Sequence, residues 1–483
     1  MSDRDILIRG GTILSVDPDL PNEFIGEVLV RGSKIVAVAP KIEVSPENVE
    51  IIDATNSIVM PGFVDTHRHT WQAPLRYIGT DWTIAHYAEA MFRRFGPSYT
   101  PDDMFVALQL GIAEALEAGF TQLFDWNHNL LSPDHADEVV RAHMESGART
   151  ILGYGQSSRE WAALAARADH KSIDAPSRDI ERLRKRYFTS NDQLTQLAMA
   201  ARGPELSTLE VVKAEWEQAR DLDLRISVHC GNGTWAKIRP VQILRDNDLL
   251  WSNVTHIHCN GVTDEEIQMI ADSGGTVSLS VEEEMHMGHG HPAVERVLRA
   301  GIRPSFSIDT CTNVSGSMFA LMKAALSVVR GDSNERRLRE GADPISLDLS
   351  VRDVIEFATL QGARANGLDH LTGSLTPGKQ ADLMIIACDT VGMIPLNYAA
   401  GAVVMGAHQG NIDTVMVAGR IVKRHGKLVD LDIESLRGRV EACRDRLLEA
   451  GGASLGGWVP ELTGAGAVGD GAVAAGHTHS HSH

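Results

Sequence analysis

Between residues 1 and 60 apolar and polar positions alternate in short runs, "DILIRGGTIL", "GEVLVRGSKIVAVAP" and "VEIIDATNSIVMPG", broken by Gly, Ser and Asn-Ser turns. This pattern, rich in β-branched residues, predicts strands and no helix. From about residue 60 to 370 the texture changes to apolar runs alternating with helical segments: "GFVDTH", "TQLFDW", "RTILGYG", "LTQLAMAARG", "RISVHC", "VTHIHC", "GTVSLSV" and "IRPSFSID". Eight strand candidates, each followed by a helix candidate, predict an α/β fold of the (β/α)8 TIM-barrel type. Helix starts agree with the count. Ser207 with Glu210 and Thr263 with Glu266 read as capping boxes, and Thr100-Pro101-Asp102-Asp103 places a proline at the first helical position with acids in the first turn. Strand texture returns in "KQADLMIIA" and "NIDTVMVAGRIVKRHGKLV". Two all-β segments, 1–60 and 371–430, thus flank a barrel at 61–370 and can complete one small β-sandwich built from both termini. A helix is expected at 431–450, and the Gly-, Ala- and His-rich segment 451–483 reads as a largely disordered tail.

Composition narrows the class. The 483 residues are 43% hydrophobic and 23% charged, enough for one large core with a smaller attached domain. No apolar stretch reaches membrane-spanning length, and "MSDRDILIRGG" is charged where a signal peptide needs an apolar segment, so the expectation is a cytoplasmic protein. Five scattered cysteines without CxxC spacing argue against a disulfide framework and against a thiolate zinc site. A net charge of −19, spread along the chain, disfavours nucleic acid or an anionic membrane as partner and favours a small neutral or cationic substrate.

In a parallel barrel the active site lies at the C-terminal strand ends, so polar residues closing apolar runs are the ones to collect. His67 and His69 close the first run, His229 the fifth, His258 the sixth and Asp309 the eighth. Residues i and i+2 of a strand share a face, which turns His67 and His69 inward and Arg68 outward. Three neutral imidazoles and a carboxylate suit a borderline divalent metal such as zinc, with a position left for a water whose pKa falls to about 7. Asp309 would both ligate and take the water proton; His258 would hydrogen-bond the reacting oxygen or the polarised substrate atom. His256 shares a face with His258 and is the reserve candidate.

These residues resemble the amidohydrolase superfamily, in the branch with cytosine, guanine and S-adenosylhomocysteine deaminases and triazine chlorohydrolases. The likeness runs through "MPGFVDTHRH", "SVHC", "HCNGVTDEEI", "SID" and, downstream, "ATLQGARANGLDHLTGSLTPGKQADLMII" and "VMVAGRIV". It implies a barrel beside a β-sandwich, a homo-oligomer, and one metal, zinc or iron, held by His67, His69, His229 and Asp309. Two departures bear on the chemistry. The bridging lysine or glutamate that two-metal members carry on the fourth strand is missing from "LTQLAMAARG", which points to one ion. Deaminases of the branch place a glutamate three residues after the fifth-strand histidine, where this chain has Asn232. An amide can donate a hydrogen bond but cannot relay a proton by changing charge. Hydrolysis of an amide, lactam or other C–N bond therefore stands beside deamination of an amino-heterocycle, unless Glu205, Glu282, Glu283 or Glu284 replaces the missing acid.

By position further residues are candidates to line the pocket: Trp71 and Gln72 after the first strand, Asp125, Trp126 and His128 after the second, Tyr154 and Gln156 after the third, and Thr310 and Asn313 beyond Asp309, with Trp126 and Tyr154 reading equally well as packing residues. Asn232, Glu282 and Glu283 complete the candidate substrate contacts; one of the three consecutive glutamates is expected to face inward, which would favour an amine-bearing substrate. His286, His289 and His291 in "VEEEMHMGHGHP" invite a second metal site, although loop histidines between glycines are more often exposed or substrate-facing. The tail histidines His477, His479, His481 and His483 are not assigned to catalysis. The alternatives are a triazine-type C–Cl hydrolase, a non-hydrolytic enzyme using the metal as Lewis acid, and a binding protein.

Overall fold

A computed structural model describes residues 5–45, 47, 49–155, 157 and 171–462. The chain opens with β1 (Asp5–Ile13), β2 (Phe24–Arg31), β3 (Lys34–Ala39), β4 (Val49–Asp53) and β5 (Ser57–Pro61). All eight apolar runs then form strands: β6 (Phe63–Arg68), β7 (Phe120–Asn127), β8 (Arg149–Gly155), β9 (Thr195–Ala201), β10 (Ile226–Cys230), β11 (Val254–His258), β12 (Thr276–Leu279) and β13 (Ser305–Phe306). They lie side by side in chain order, parallel throughout. β7 and β8 are buried at every position, as a strand covered on both faces requires.

The circle closes at its shortest strand. "IRPSFSID" forms only two strand residues, because beyond Phe306 the Asp65 carboxylate takes the Ile308 N–H at 3.2 Å in place of a ladder partner. Closure falls instead to a bridge between Arg68 and Asp309. The Asp309 N–H donates to the His67 carbonyl at 2.9 Å, and the His69 N–H donates to the Asp309 carbonyl at 2.7 Å. Backbone bonding alone thus sets Asp309 beside the two first-strand histidines.

Two of the three expected helix starts form as read. Thr263 accepts from the Glu266 N–H while Glu266 accepts from the Thr263 N–H, and Thr100 and Asp103 do the same around Pro101. The third differs: Thr208, not Ser207, precedes the helix Leu209–Asp221, and the Ser207 hydroxyl donates back to the Gly203 carbonyl, closing the turn before it.

The terminal segments meet in one sheet. β14 (Leu383–Ala387), β15 (Ile412–Val417), β16 (Arg420–Arg424) and β17 (Lys427–Leu428) join the first five strands where β14 pairs antiparallel with β5. This sheet has its own core, including Ile6, Ile8, Val28, Val30, Val59, Leu383 and Met416. A buried pair ties it to the barrel: the Arg149 guanidinium, at the start of β8, donates to both Asp382 oxygens at 2.8 and 3.1 Å. The helix Ile433–Gly451 packs on the helix Pro101–Glu117. Beyond it, Trp458 rests against Trp82 and Phe95, an anchor that the Gly/Ala-rich texture of the segment does not announce. The tail histidines and Gln156 lie outside the described residues. Among the described residues no helix is long and apolar enough to cross a membrane, and the five cysteines are free and buried.

Candidate metal centre

The residues collected from strand ends converge. His67 lies in β6 with His69 one residue beyond it, and Arg68 turns the other way, donating to Asp65 at 2.8 Å and to Glu114 at 3.3 Å. Ring centres are 4.7 Å apart for His67 and His69, 4.7 Å for His67 and His229, and 5.6 Å for His69 and His229. One nitrogen from each of these three lies within 4.8 Å of the others, and the same holds for ligand atoms of His67, His258 and Asp309. His67 Nε2 and His69 Nε2 are each 3.3 Å from Asp309 Oδ1, and His258 Nε2 is 3.4 Å from Oδ2. These gaps exceed the roughly 2.7–2.9 Å of a charge-assisted hydrogen bond. They match the separation of about 3.4 Å between ligand atoms set tetrahedrally about 2.1 Å from a shared centre. Neither nitrogen of the buried His67 has an aligned hydrogen bond. The donor set therefore fits a borderline divalent cation on His67, His69, His229 and Asp309.

Charge states agree with that use. Burial pushes His67 down to about 4 and lowers His69; His229 is held well below the usual range by burial and then by the neighbouring imidazoles. Neutral imidazole is the ligand form. Burial opposes the Asp309 charge, but His67, His258 and His69 hold its carboxyl well below the ordinary carboxylate range. Orientation is fixed from behind: His69 Nδ1 is 2.8 Å from the Trp126 carbonyl, which keeps the proton there and turns Nε2 to the centre. His258 Nδ1 is 3.1 Å from Glu284, itself anchored by the Ser280 N–H at 2.8 Å and the Asn260 amide at 3.1 Å. Asp309 and His258 take left-handed backbone angles, φ +65° and +75°, which cost energy in residues other than glycine.

The amidohydrolase family model matches residues 58–422, a span that holds every residue of this centre. The chain belongs to the amidohydrolase family. It is 24% identical over 460 residues to a 5-methylthioadenosine/S-adenosylhomocysteine deaminase of Caldicellulosiruptor saccharolyticus, covering 92% of this chain and 99% of the relative. A 5'-deoxyadenosine deaminase of Methanothermobacter thermautotrophicus is 28% identical over 462 residues, 92% of this chain and 100% of the relative. The fold is shared with an adenosine deaminase of Xanthomonas campestris solved with bound zinc (TM-score 0.78, 21% identity, 92% of this chain and 99% of that one). It is also shared with an atrazine chlorohydrolase of Arthrobacter aurescens complexed with zinc (TM-score 0.76, 22% identity, 91% of this chain and 100% of that one).

Around this amidohydrolase centre the other candidates divide. The Trp126 ring packs 4.4 Å from His229 and 6.0 Å from His67. Trp71 packs behind, on Tyr99 and His128. The Gln72 amide donates to the Tyr87 hydroxyl and its carbonyl accepts from Thr310, each at 2.5 Å. Tyr154 pairs through its hydroxyl with Ser177 at 2.9 Å. Asn232 precedes the turn Gly233–Ile238, after Gly231 at φ +78°, where a side chain would strike Val262, and its Oδ1 is buried without a hydrogen bond. Of the three consecutive glutamates two are buried, Glu283 and Glu284, while Glu282 is part-exposed; the expectation of one inward residue undercounts them. His256 is buried deeper on the His258 face. His286 and His291 are exposed and only His289 turns inward. Asp125 accepts from the Thr70 N–H and faces His143 at 3.1 Å, supporting the turn after His69.

Glu284 is the residue whose role the sequence did not single out. A Glu284→Gln protein should lose about 10–100-fold in turnover or metal affinity, because the charge fixing the His258 tautomer is gone; unchanged kinetics and metal content would make Glu284 a packing residue. Glu205 sits apart from this: its Oε1 accepts the Gly231 N–H at 2.6 Å, and burial lifts its carboxyl to about 7. An unfolded glutamate titrates near 4.3. The folded state therefore binds the proton more tightly, and this contribution to stability is complete below about pH 4 and lost as pH rises through about 7. A Glu205→Gln protein should be more stable than the parent at pH 8, by up to about 3 kcal/mol, and equal to it near pH 4. Urea denaturation at the two pH values reads the difference.

Proposed function

We propose that this chain is a mononuclear metal-dependent hydrolase that cleaves a C–N bond of a small nitrogenous compound. The observation that carries the reading is that His67 and His69 lie within ligand-to-ligand distance of His229 and also of Asp309, with His258 beside Asp309. These four would hold the metal; zinc is the first choice, in keeping with the zinc in the two solved relatives, and Fe(II) the second. When bound it supplies an acidified water and polarises the electrophilic carbon.

The chain's own residues do the rest. The Asp309 carboxylate accepts a proton from the attacking water and passes it to the departing nitrogen, so that one O–H and one C–N bond break as a C–O and an N–H bond form. His258, its Nδ1 held by Glu284, aims Nε2 at the oxygen that gains charge. Asn232 contributes an amide hydrogen bond with no charge change. Trp126, Gln72, Trp71, Tyr154, Glu282 and Glu283 are the proposed surroundings of the substrate. The deaminase names of the relatives put aminopurine nucleosides first among substrates to try. The reading includes a cytoplasmic homo-oligomer with no nucleic-acid or membrane partner, in keeping with a net charge of −19.

The test is a metal-loaded screen of purines, pterins, pyrimidines, triazines, lactams and N-acyl compounds in oxygen-18 water, with ammonia release measured separately from ring opening. Labelled product with ammonia or amine release is expected. Unlabelled product would replace hydrolysis by isomerisation, and no turnover across the panel would leave a binding protein. Asn232, together with the fold shared with an atrazine chlorohydrolase, favours one second reading, hydrolysis of a C–Cl bond, which chloride release would identify.

A further inference from the structure

A second group of ligand-type side chains adjoins the centre on its seventh-strand side. His258, Glu283 and His289 are buried, and each offers a ligand atom within 4.8 Å of the other two. His289 Nε2 lies 3.4 Å from Glu283 Oε1, and the His258 and His289 rings are 4.8 Å apart, edge to face. His289 is only 3% exposed, yet neither ring nitrogen has an aligned hydrogen bond, and Glu283 Oε2 also lacks one. Polar atoms buried this deeply call for a partner.

Asp309 connects the two groups. Its Oδ1 faces His67 and His69, while its Oδ2 faces His258. A carboxylate with one oxygen toward each of two donor clusters has the form of a bridge between paired cations. β9 ends in "LAMAA" and brings no lysine or glutamate to bridge them. His258 has one nitrogen tied to Glu284, so its Nε2 can serve a single cation. With His67, His69 and His229 committed to the first ion, that nitrogen is available to the second cluster.

We infer that His258, Glu283 and His289 form a second divalent-cation site, joined to the first through Asp309. Two imidazoles and a carboxylate select a borderline ion such as zinc, cobalt, iron(II) or manganese. The inference rests on the first site of the proposed function and replaces its single ion by a pair, with His258 Nε2 given to the second ion instead of to the reacting oxygen.

The experiment titrates metal-free full-length protein with Co(II), following bound metal per chain and the electron paramagnetic resonance of the bound ions. The parent should take up two ions at these clusters and show a spin-coupled pair, a signal that ions on the tail histidines do not give. His289→Ala and the isosteric Glu283→Gln should each bind one ion fewer than the parent and show an uncoupled ion only. An uncoupled signal in the saturated parent, or coupling and uptake retained in Glu283→Gln, overturns the second site and leaves the first standing. A parent with no ion at either cluster overturns the first site as well.

Discussion

An Asp309→Asn protein is expected to fold normally and to lose turnover by about 10²–10⁴-fold or more. The amide keeps the shape of the carboxylate but cannot take a proton, and it offers His67, His69 and His258 one oxygen where they now face two. The fold should survive because barrel closure at this residue is a backbone affair: the Asp309 N–H and carbonyl bond to His67 and His69 whatever side chain is attached. Loss of the negative charge also leaves the buried imidazoles more firmly neutral, since Asp309 is the charge that works against burial at His67 and His69. Turnover, circular dichroism and metal content, measured on one preparation, check the three parts. Parental turnover in a folded variant would remove Asp309 from the chemistry.

The second large effect concerns stability. Asp382→Ala is expected to cost about 3–5 kcal/mol. Arg149 and Asp382 are almost wholly buried, 3% and 1% exposed at the side chain, and Asp382 Oδ1 also accepts the Ala418 N–H at 2.7 Å. Deleting the carboxylate strands a guanidinium in the layer between barrel and sheet with Gln380 as its remaining side-chain partner. The penalty comes from the unpaired charge, so Arg149→Met combined with Asp382→Leu should recover much of it. Denaturant unfolding of the single and double variants reads both. A loss below about 1 kcal/mol for Asp382→Ala would mean that water reaches Arg149 and that the pair does not couple the two units.

What the candidate ligands share is that local pattern exposes them. His67, His69, His229, His258 and Asp309 stand at or near the ends of apolar runs, and a barrel sends such ends to one face. The glutamate run after β12 is different. Three identical residues in one helical turn point three ways, and which of them meets His258 depends on where β11 has placed that ring. The cap before Leu209 departs from its motif for a related reason, because Ser207 is drawn into a bond with Gly203 that the segment alone does not reveal. The eighth strand is shorter than its apolar run because a side chain from the first, Asp65, satisfies its backbone.

The sequence by itself determined the eight parallel strands, the flanking sheet segments and which five side chains, His67, His69, His229, His258 and Asp309, come together at the barrel mouth, since strand periodicity and chain direction are local properties. Only the tertiary structure decided that Glu284 holds His258, that Glu283 and His289 meet beside it, and that Arg149 finds Asp382 across 233 positions of chain. Those pairings are set by distance between elements and by the cost of burying polar atoms unpaired, quantities that exist only once the layers have closed on one another.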